Sequence, residues 1–268
     1  MTPLYLDSTA VTRVLLDGPA LRVRTHRHAD RLFPLRRLTH IVNIGNVPWD
    51  IDALLACAET GIAVTFMRRN GGLRALVTGP ADKDLPDIGT LVRGLASTPE
   101  GLERYRQWNA AQKQIARVEL VRRIQWSPCA TDPDLLERRI ASRVRPHVAM
   151  KTWRRFTAQV TGLLRARCAL ALDRCGLALD DPLLRICRLR PEQDLAEILY
   201  WHLLDHMVSY AHHRGQAARR RGAARAGLKA SDAVAFTEAD KTRLAARIDV
   251  ALRHLHAFLL EAGGRHAA

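Results

Sequence analysis

The side chains best suited to chemistry lie in residues 192–225, EQDLAEILYWHLLDHMVSYAHHRGQAARRRGAAR, where potential metal ligands are densest and are followed by the purest run of positive charge. On a helix, at about 100° per residue, Leu199, Leu203, Met207 and Tyr210 fall on one apolar face. Asp194, Glu197, Trp201, Asp205 and His212 line up on another, with His202, His206 and His213 between them. Hard divalent cations take oxygen ligands, so Asp194 and Glu197, with Asp205, form a candidate Mg²⁺ or Mn²⁺ face for chemistry on a phosphate; the plainer reading is a solvated helix face. Arg214, Arg219, Arg220, Arg221, Arg225 and Lys229 make an acid-free block interrupted by Gly215, Gly222 and Gly227. It reads as a flexible basic loop for phosphate contacts, which carry affinity without sequence information. Lys151, Arg154 and Arg155 form a second basic cluster around Trp153, read as a further DNA-binding patch; the ring is a candidate stacking platform, and the plainer reading, which is preferred, packs it in the core.

His202 and His206 stand one turn apart in HLLDH. The spacing is superficially that of an inverted zinc-peptidase motif with Asp in place of Glu. It leaves a zinc hydrolase as a remote alternative, with neither a third ligand nor an oxyanion donor identifiable.

The elements that must position these groups follow from periodicity. Residues 3–7, 11–16, 20–25, 32–35 and 40–44 read as short strands, with Asp17-Gly18-Pro19 as a hairpin signal. Asp50 is a helix cap for 51–60, with Leu54, Leu55 and Ala58 on the inner face and Gly61 as the stop. The apolar run 62–67 suits a strand covered on both faces, and Asn70-Gly71-Gly72 turns it into 73–77. Beyond the two-proline stretch 80–87 the pattern is helical: 101–126, 134–144, 152–175 closed by Gly176, a short helix from Pro182, the helix of residues 192 onward, and 237–260 with a cap region at Thr237. The expected fold is α+β with two domains: an N-terminal, mainly β domain with one helix (1–80), a linker (81–90) and a C-terminal all-α domain (91–268).

Charge follows the same division. Residues 1–90 hold 11 basic and 9 acidic side chains, leaving 31 and 18 of the chain's 42 and 27 to the rest. A positive field concentrated in this way implies a polyanion, nucleic acid before an acidic membrane surface. The aromatic share of 5% argues against many base-stacking platforms. Five cysteines, none in a C-x-x-C pair, fit reduced and mostly buried thiols of a cytoplasmic protein. The N-terminus has the pattern of no signal peptide, and no run of 18 apolar residues predicts a membrane span.

Several phrases together resemble one family. LYLD at residues 4–7, the hairpin of 11–24, LRRLTHIVNIG at 35–45 and GIAVTFMRRNGGLRALVTGP at 61–80 are similar to the CRISPR-associated integrase-endonuclease family, the Cas proteins that insert new spacers. Residues 114–124, 170–182, 190–197 and 237–252 resemble its helical segments. The resemblance implies a homodimer formed through the β domain, DNA on the helical domains, and a small companion adaptation protein. It also implies a divalent metal held by Glu, His and Asp from three helices, for joining 3′-hydroxyl ends to the repeat array. Carried over residue by residue, the glutamate falls at Glu137 and the aspartate at Glu197. The histidine position falls near Ile186-Cys187-Arg188, where no histidine stands. An inactive DNA-binding subunit of the same fold is therefore the alternative function.

Overall fold

The structure is a computed structural model describing residues 2–26, 28–79, 88–125 and 131–264. The chain divides into two compact units, Met1–Asp84 and Leu85–Ala268.

The first unit runs β1 (Thr2–Asp7), β2 (Val11–Asp17), β3 (Ala20–Thr25), β4 (Arg31–Pro34), β5 (Leu38–Ile44), α1 (Ile51–Glu59), β6 (Ala63–Met67) and β7 (Leu73–Val77). Asp17 pairs with Ala20, so Gly18 and Pro19 alone make the hairpin turn. β2, β3 and β4 form one antiparallel sheet, and a second has the order β1-β5-β6-β7. β5 and β6 are parallel, which requires a crossover, and α1 supplies it. Leu4, Leu6, Val14, Leu21, Ile41, Val64 and Cys57 meet in its core. Asp50 occupies the N-cap position of α1 but its side chain makes no capping bond. The inner face of α1 is Ala53 and Cys57, whereas Leu55 is 53% exposed, against the expectation for that residue; small side chains let the helix lie close to the sheets.

The second unit is helical: α2 (Ile88–Ala96), α3 (Pro99–Arg123), α4 (Pro133–Val144), α5 (Met150–Arg174), α6 (Pro182–Ile186), α7 (Pro191–Arg220), α8 (Ala230–Ala239) and α9 (Lys241–Gly264). Of the expected linker, residues 88–90 are already α2, and 81–87 lie outside the described residues. Three helices begin alike, with an oxygen-bearing cap followed by proline. Thr98, Asp132 and Asp181 accept bonds from the amides of Gly101, Leu135 and Leu183 at 3.1, 2.8 and 2.8 Å. The expected closing helix 237–260 is two helices. Thr237 is buried inside α8 and returns its hydroxyl to the carbonyls of Ala233 and Val234. The cap of α8 lies earlier, where Asp232 accepts from the Lys229 amide at 2.7 Å.

α5 and α7 carry the core of this unit through Phe156, Leu163, Leu164 and Leu172 on one and Leu195, Leu199, Leu203 and Met207 on the other. Trp153 is 5% exposed and belongs to that core. Phe156 stacks on Tyr210 at 5.7 Å, and Trp108 of α3 on Phe258 of α9 at 5.3 Å. Cys57, Cys168 and Cys175 are buried free thiols; burial pushes Cys57 up to about 11 and Cys168 up to about 12. Cys129 lies outside the described residues. Among the described residues, no helix is long and apolar enough to cross a membrane.

Candidate metal centre and nucleic-acid surface

α7 begins with Pro191 and carries Glu192 and Asp194 in its first turn, where acids complement the helix dipole. Each acid of this end is met by a partner from another helix. Arg165 of α5 reaches Glu192, itself 7% exposed, through Nε at 3.1 Å and Nη2 at 2.5 Å. Tyr105, Asn109 and Lys113, spaced four apart on α3, share one helix face and converge on α7. The Tyr105 hydroxyl donates to Asp194 Oδ2 at 3.1 Å, and Asn109 Nδ2 donates to Asp194 Oδ1 at 2.6 Å. Lys113 Nζ lies 3.3 Å from Asp194 Oδ1 and 2.5 Å from Glu197 Oε2. Gln193 donates to Glu197 Oε1 at 3.0 Å. Burial pushes the Glu197 carboxyl up, but the hydrogen bonds from Lys113 and Gln193 and the ammonium charge outweigh it and hold the group below its usual range. Burial, and then the Asp194 charge, raise Tyr105 well above a normal phenol.

The third candidate ligand is elsewhere. Glu137 of α4 lines a recess of about 290 Å³ with Asp134, Trp153, Arg154 and Tyr200. Burial, then the neighbouring Asp134 charge, raise its carboxyl. Among the described residues, no three His, Cys, Asp or Glu side chains converge to hold a metal ion. Cys187 stands at the end of α6 with Sγ 3.5 Å from the Ala96 carbonyl oxygen. The structure thus brings Asp194 and Glu197 together around an ammonium and leaves Glu137 apart. These donors, as folded, do not fit a divalent ion: all four oxygens of the Asp194–Glu197 pair already accept a hydrogen bond.

Farther along the same two helices, Glu119 Oε2 lies 3.3 Å from His202 Nδ1 and Arg123 Nε 3.5 Å from Asp205 Oδ2. His202 lines a cavity of about 280 Å³ with Trp108, Glu119 and Arg247. His206 lines a different one with Tyr210, Phe236 and Leu244. The two histidines of the zinc-hydrolase alternative therefore face separate recesses.

The basic residues come together. Helix α7 continues to Arg220, so Arg214, Arg219 and Arg220 are helical rather than on the expected loop. Gly215 does not break the helix; a side chain there would meet His147 Cβ at 2.6 Å, so its absence lets α7 pack against the segment entering α5. Arg219 Nη2 donates to the Pro146 carbonyl at 2.8 Å, and the Ala226 amide to that of His147 at 2.8 Å. Gly222, at φ 79, ends the helix in a Schellman turn: its amide donates to Arg219 and that of Ala223 to Ala218. These contacts set the start of α5, with exposed Lys151, Arg154 and Arg155, beside the end of α7, with exposed Arg219, Arg220, Arg221 and Arg225. Arg214 pairs with Asp232 at 2.8 Å. Among the described residues, no carboxylate pairs with Lys151, Arg154, Arg155, Arg220, Arg221 or Arg225.

Lys113, Asn109 and Tyr105 escaped sequence reasoning. Their signal is the four-residue spacing of polar groups along α3, on which Tyr105 reads as part of the apolar period. The His147–His212 contact, Nε2 to Nδ1 at 3.0 Å, has no local signal.

The chain matches the model of a family described as CRISPR associated protein Cas1 over residues 4–225. A search of curated proteins finds no match. Among solved structures, the chain is similar to a Cas1 protein from Thermotoga maritima, with TM-score 0.68 and 10% identity over 98% of this chain and 97% of that one. It is similar to a Cas6-RT-Cas1–Cas2 complex, with TM-score 0.61 and 12% identity over 96% of this chain and 35% of that one. A casposase bound to integration product gives TM-score 0.59 and 14% identity over 97% and 88%. At these identities the likeness is one of fold.

Proposed function

The chain belongs to the CRISPR-associated Cas1 family, and from that premise we propose that it serves CRISPR adaptation as an integrase-family subunit that holds DNA on its helical unit. The observation that carries this reading is the packing of the segment entering α5, which leads into Lys151, Arg154 and Arg155, against the end of α7, so that two basic stretches distant in sequence are neighbours in the fold. Guanidinium and ammonium groups without carboxylate partners are free to replace the counterions of a phosphate backbone. The fold-level likeness to a casposase bound to integration product supports the integration setting. The likeness to a complex containing Cas2 supports a small companion protein as partner. A homodimer through the first unit and a cytoplasmic location complete the proposal.

In the joining reaction a 3′-hydroxyl attacks a phosphodiester, one P–O bond forms as another breaks, and the leaving 3′-oxygen takes the proton. Mg²⁺ or Mn²⁺ would stabilise charge on that phosphate. The donors described above do not fit the ion as folded, so the part derived for this chain is holding and orienting DNA. That disagreement favours a second reading, a subunit that binds DNA without joining it. The test incubates the protein, with and without its companion, with a fragment bearing single-stranded 3′ ends and a repeat array, in Mg²⁺ or Mn²⁺. Joint molecules establish the integrase reading. DNA bound in a salt-sensitive, EDTA-indifferent manner without joint molecules establishes the second; no DNA affinity at low salt removes both.

A further inference from the structure

We propose that Lys113 is the resident cation of the helical unit's acidic centre: its ammonium stands where a divalent ion would bind, and the Asp194–Glu197 pair accepts metal only once that lysine is removed. This deepens the reading of a subunit that holds DNA without a metal-dependent step.

Two carboxylates one turn apart on α7 would repel each other and seek a cation. The cation present is covalently tethered, 2.5 Å from Glu197 Oε2 and 3.3 Å from Asp194 Oδ1. The Lys113 and Asp194 side chains are 20% and 19% exposed, and that of Glu197 is 39% exposed. Every oxygen of the pair is already engaged: Asp194 by Tyr105, Asn109 and Lys113, and Glu197 by Gln193 and Lys113. Mg²⁺ sits about 2.0–2.1 Å from its oxygen ligands, so an ion bridging these carboxylates would collide with Nζ in space and in charge. Lys113 reaches across from α3 to both carboxylates.

Asn109 Oδ1 is buried without a hydrogen-bond partner while Asn109 Nδ2 donates to Asp194. With the ammonium gone, Glu197 Oε2 loses its donor, and the other three carboxylate oxygens keep only the neutral donors Tyr105, Asn109 and Gln193; each such oxygen has a second lone pair, the kind of hard donor that Mn²⁺ and Mg²⁺ take. Arginine at position 113 would keep the charge in place, whereas methionine would keep the length and remove it.

The test is a Mn²⁺ titration followed by electron paramagnetic resonance, with thermal unfolding in Mn²⁺ and in EDTA as an independent readout. The wild type and Lys113→Arg are expected to bind no stoichiometric Mn²⁺ and to unfold at the same temperature in both conditions. Lys113→Met is expected to bind one Mn²⁺ per chain at least tenfold more tightly than the wild type, to gain unfolding temperature in Mn²⁺, and to lose both on adding Asp194→Asn. Stoichiometric Mn²⁺ on the wild type that disappears in Glu197→Gln would overturn the proposal. So would a folded Lys113→Met that binds no more Mn²⁺ than the wild type. If Lys113→Met does not fold, Lys113→Gln, which keeps a donor to Glu197, decides on the same criteria. DNA affinity is measured separately: its absence in the wild type would sink the DNA-holding reading, while the Mn²⁺ titration alone decides the role of Lys113.

Discussion

Arg188 sits at φ 55, in the left-handed region, between α6 and α7. Its amide and that of Leu189 close the end of α6 onto Arg185 and Leu184, the place where a helix usually puts glycine. A non-glycine residue there costs about 1–2 kcal/mol, and glycine's extra freedom in the unfolded chain returns about 0.5–1 kcal/mol of that. Arg188→Gly should therefore raise stability by roughly 0.5–1 kcal/mol, read as a higher urea midpoint. Gly215→Ala should do the reverse: a methyl group 2.6 Å from His147 Cβ and 3.0 Å from its Cα must move backbone. Overpacking of this kind costs about 1–3 kcal/mol, and weaker DNA binding should accompany it because the two basic clusters meet at that contact. His202 adds a pH dependence. Burial lowers its imidazole from 6.5, helped by Arg247 and Arg123 and opposed by Glu119 and Asp205. The fold thus favours the neutral ring, so its contribution to stability is intact above 6.5 and declines as the pH falls below that value and the unfolded chain takes up the proton. His202→Gln should flatten the fall of the unfolding midpoint below pH 6.5; an unchanged slope would assign the decline to other groups such as His147, whose ring burial also lowers.

At the scale of elements, α7 is the shared wall of the unit, tied to α3 by Lys113, to α5 by Arg165 and to α8 by Asp232. Asp232 is 6% exposed and accepts from the Lys229 amide at 2.7 Å, the Tyr210 hydroxyl at 3.1 Å and Arg214 at 2.8 Å. It caps α8 and fastens it to α7 at once. Asp232→Ala leaves the Tyr210 and Lys229 donors without their acceptor, each a part-buried hydrogen bond lost at about 0.5–1.5 kcal/mol; Arg214 is 46% exposed, and water replaces its partner at little cost. The expected outcome is a lower unfolding midpoint with increased amide exchange confined to α8 and the end of α7. Uniform exchange across the unit would mean that Asp232 has no local fastening role.

For the whole molecule, the division of charge matters more than its total. The formal net charge of +15 resides largely beyond residue 90, and Lys151, Arg154, Arg155, Arg220, Arg221 and Arg225, exposed and without carboxylate partners, belong to the neighbouring start of α5 and end of α7. Each phosphate neutralised contributes about −0.9 to the slope of log affinity against log salt. The pair Arg220→Ala with Arg221→Ala should thus weaken binding of any DNA sequence and flatten the slope by about 1–2. Substituting Arg22 and Arg24 of β3 should leave both unchanged, since Arg22 already pairs with Asp17 and Arg24 with Asp30. Equal effects from the two pairs would argue for a diffuse field in place of a binding surface.

What the amino-acid order determined by itself is whatever short-range physics writes into neighbouring residues. The strands, the turn at Gly18-Pro19, the glycine stop after α1 and the long helical periods could be read directly, because alternation, proline and glycine act within a few residues. The uneven charge was equally legible, being a count. The break between α8 and α9 was not, since Thr237 looks like a cap until its buried hydroxyl is seen to bond backward. Only the tertiary structure decided which groups meet. Lys113 and Glu197 are 84 residues apart, and Arg219 and Pro146 are 73. Whether an acid holds a metal, a lysine or water depends on which helix packs against it, and that choice is made by the burial of apolar faces such as Leu195 and Leu199, not by the acid's own neighbours in the chain.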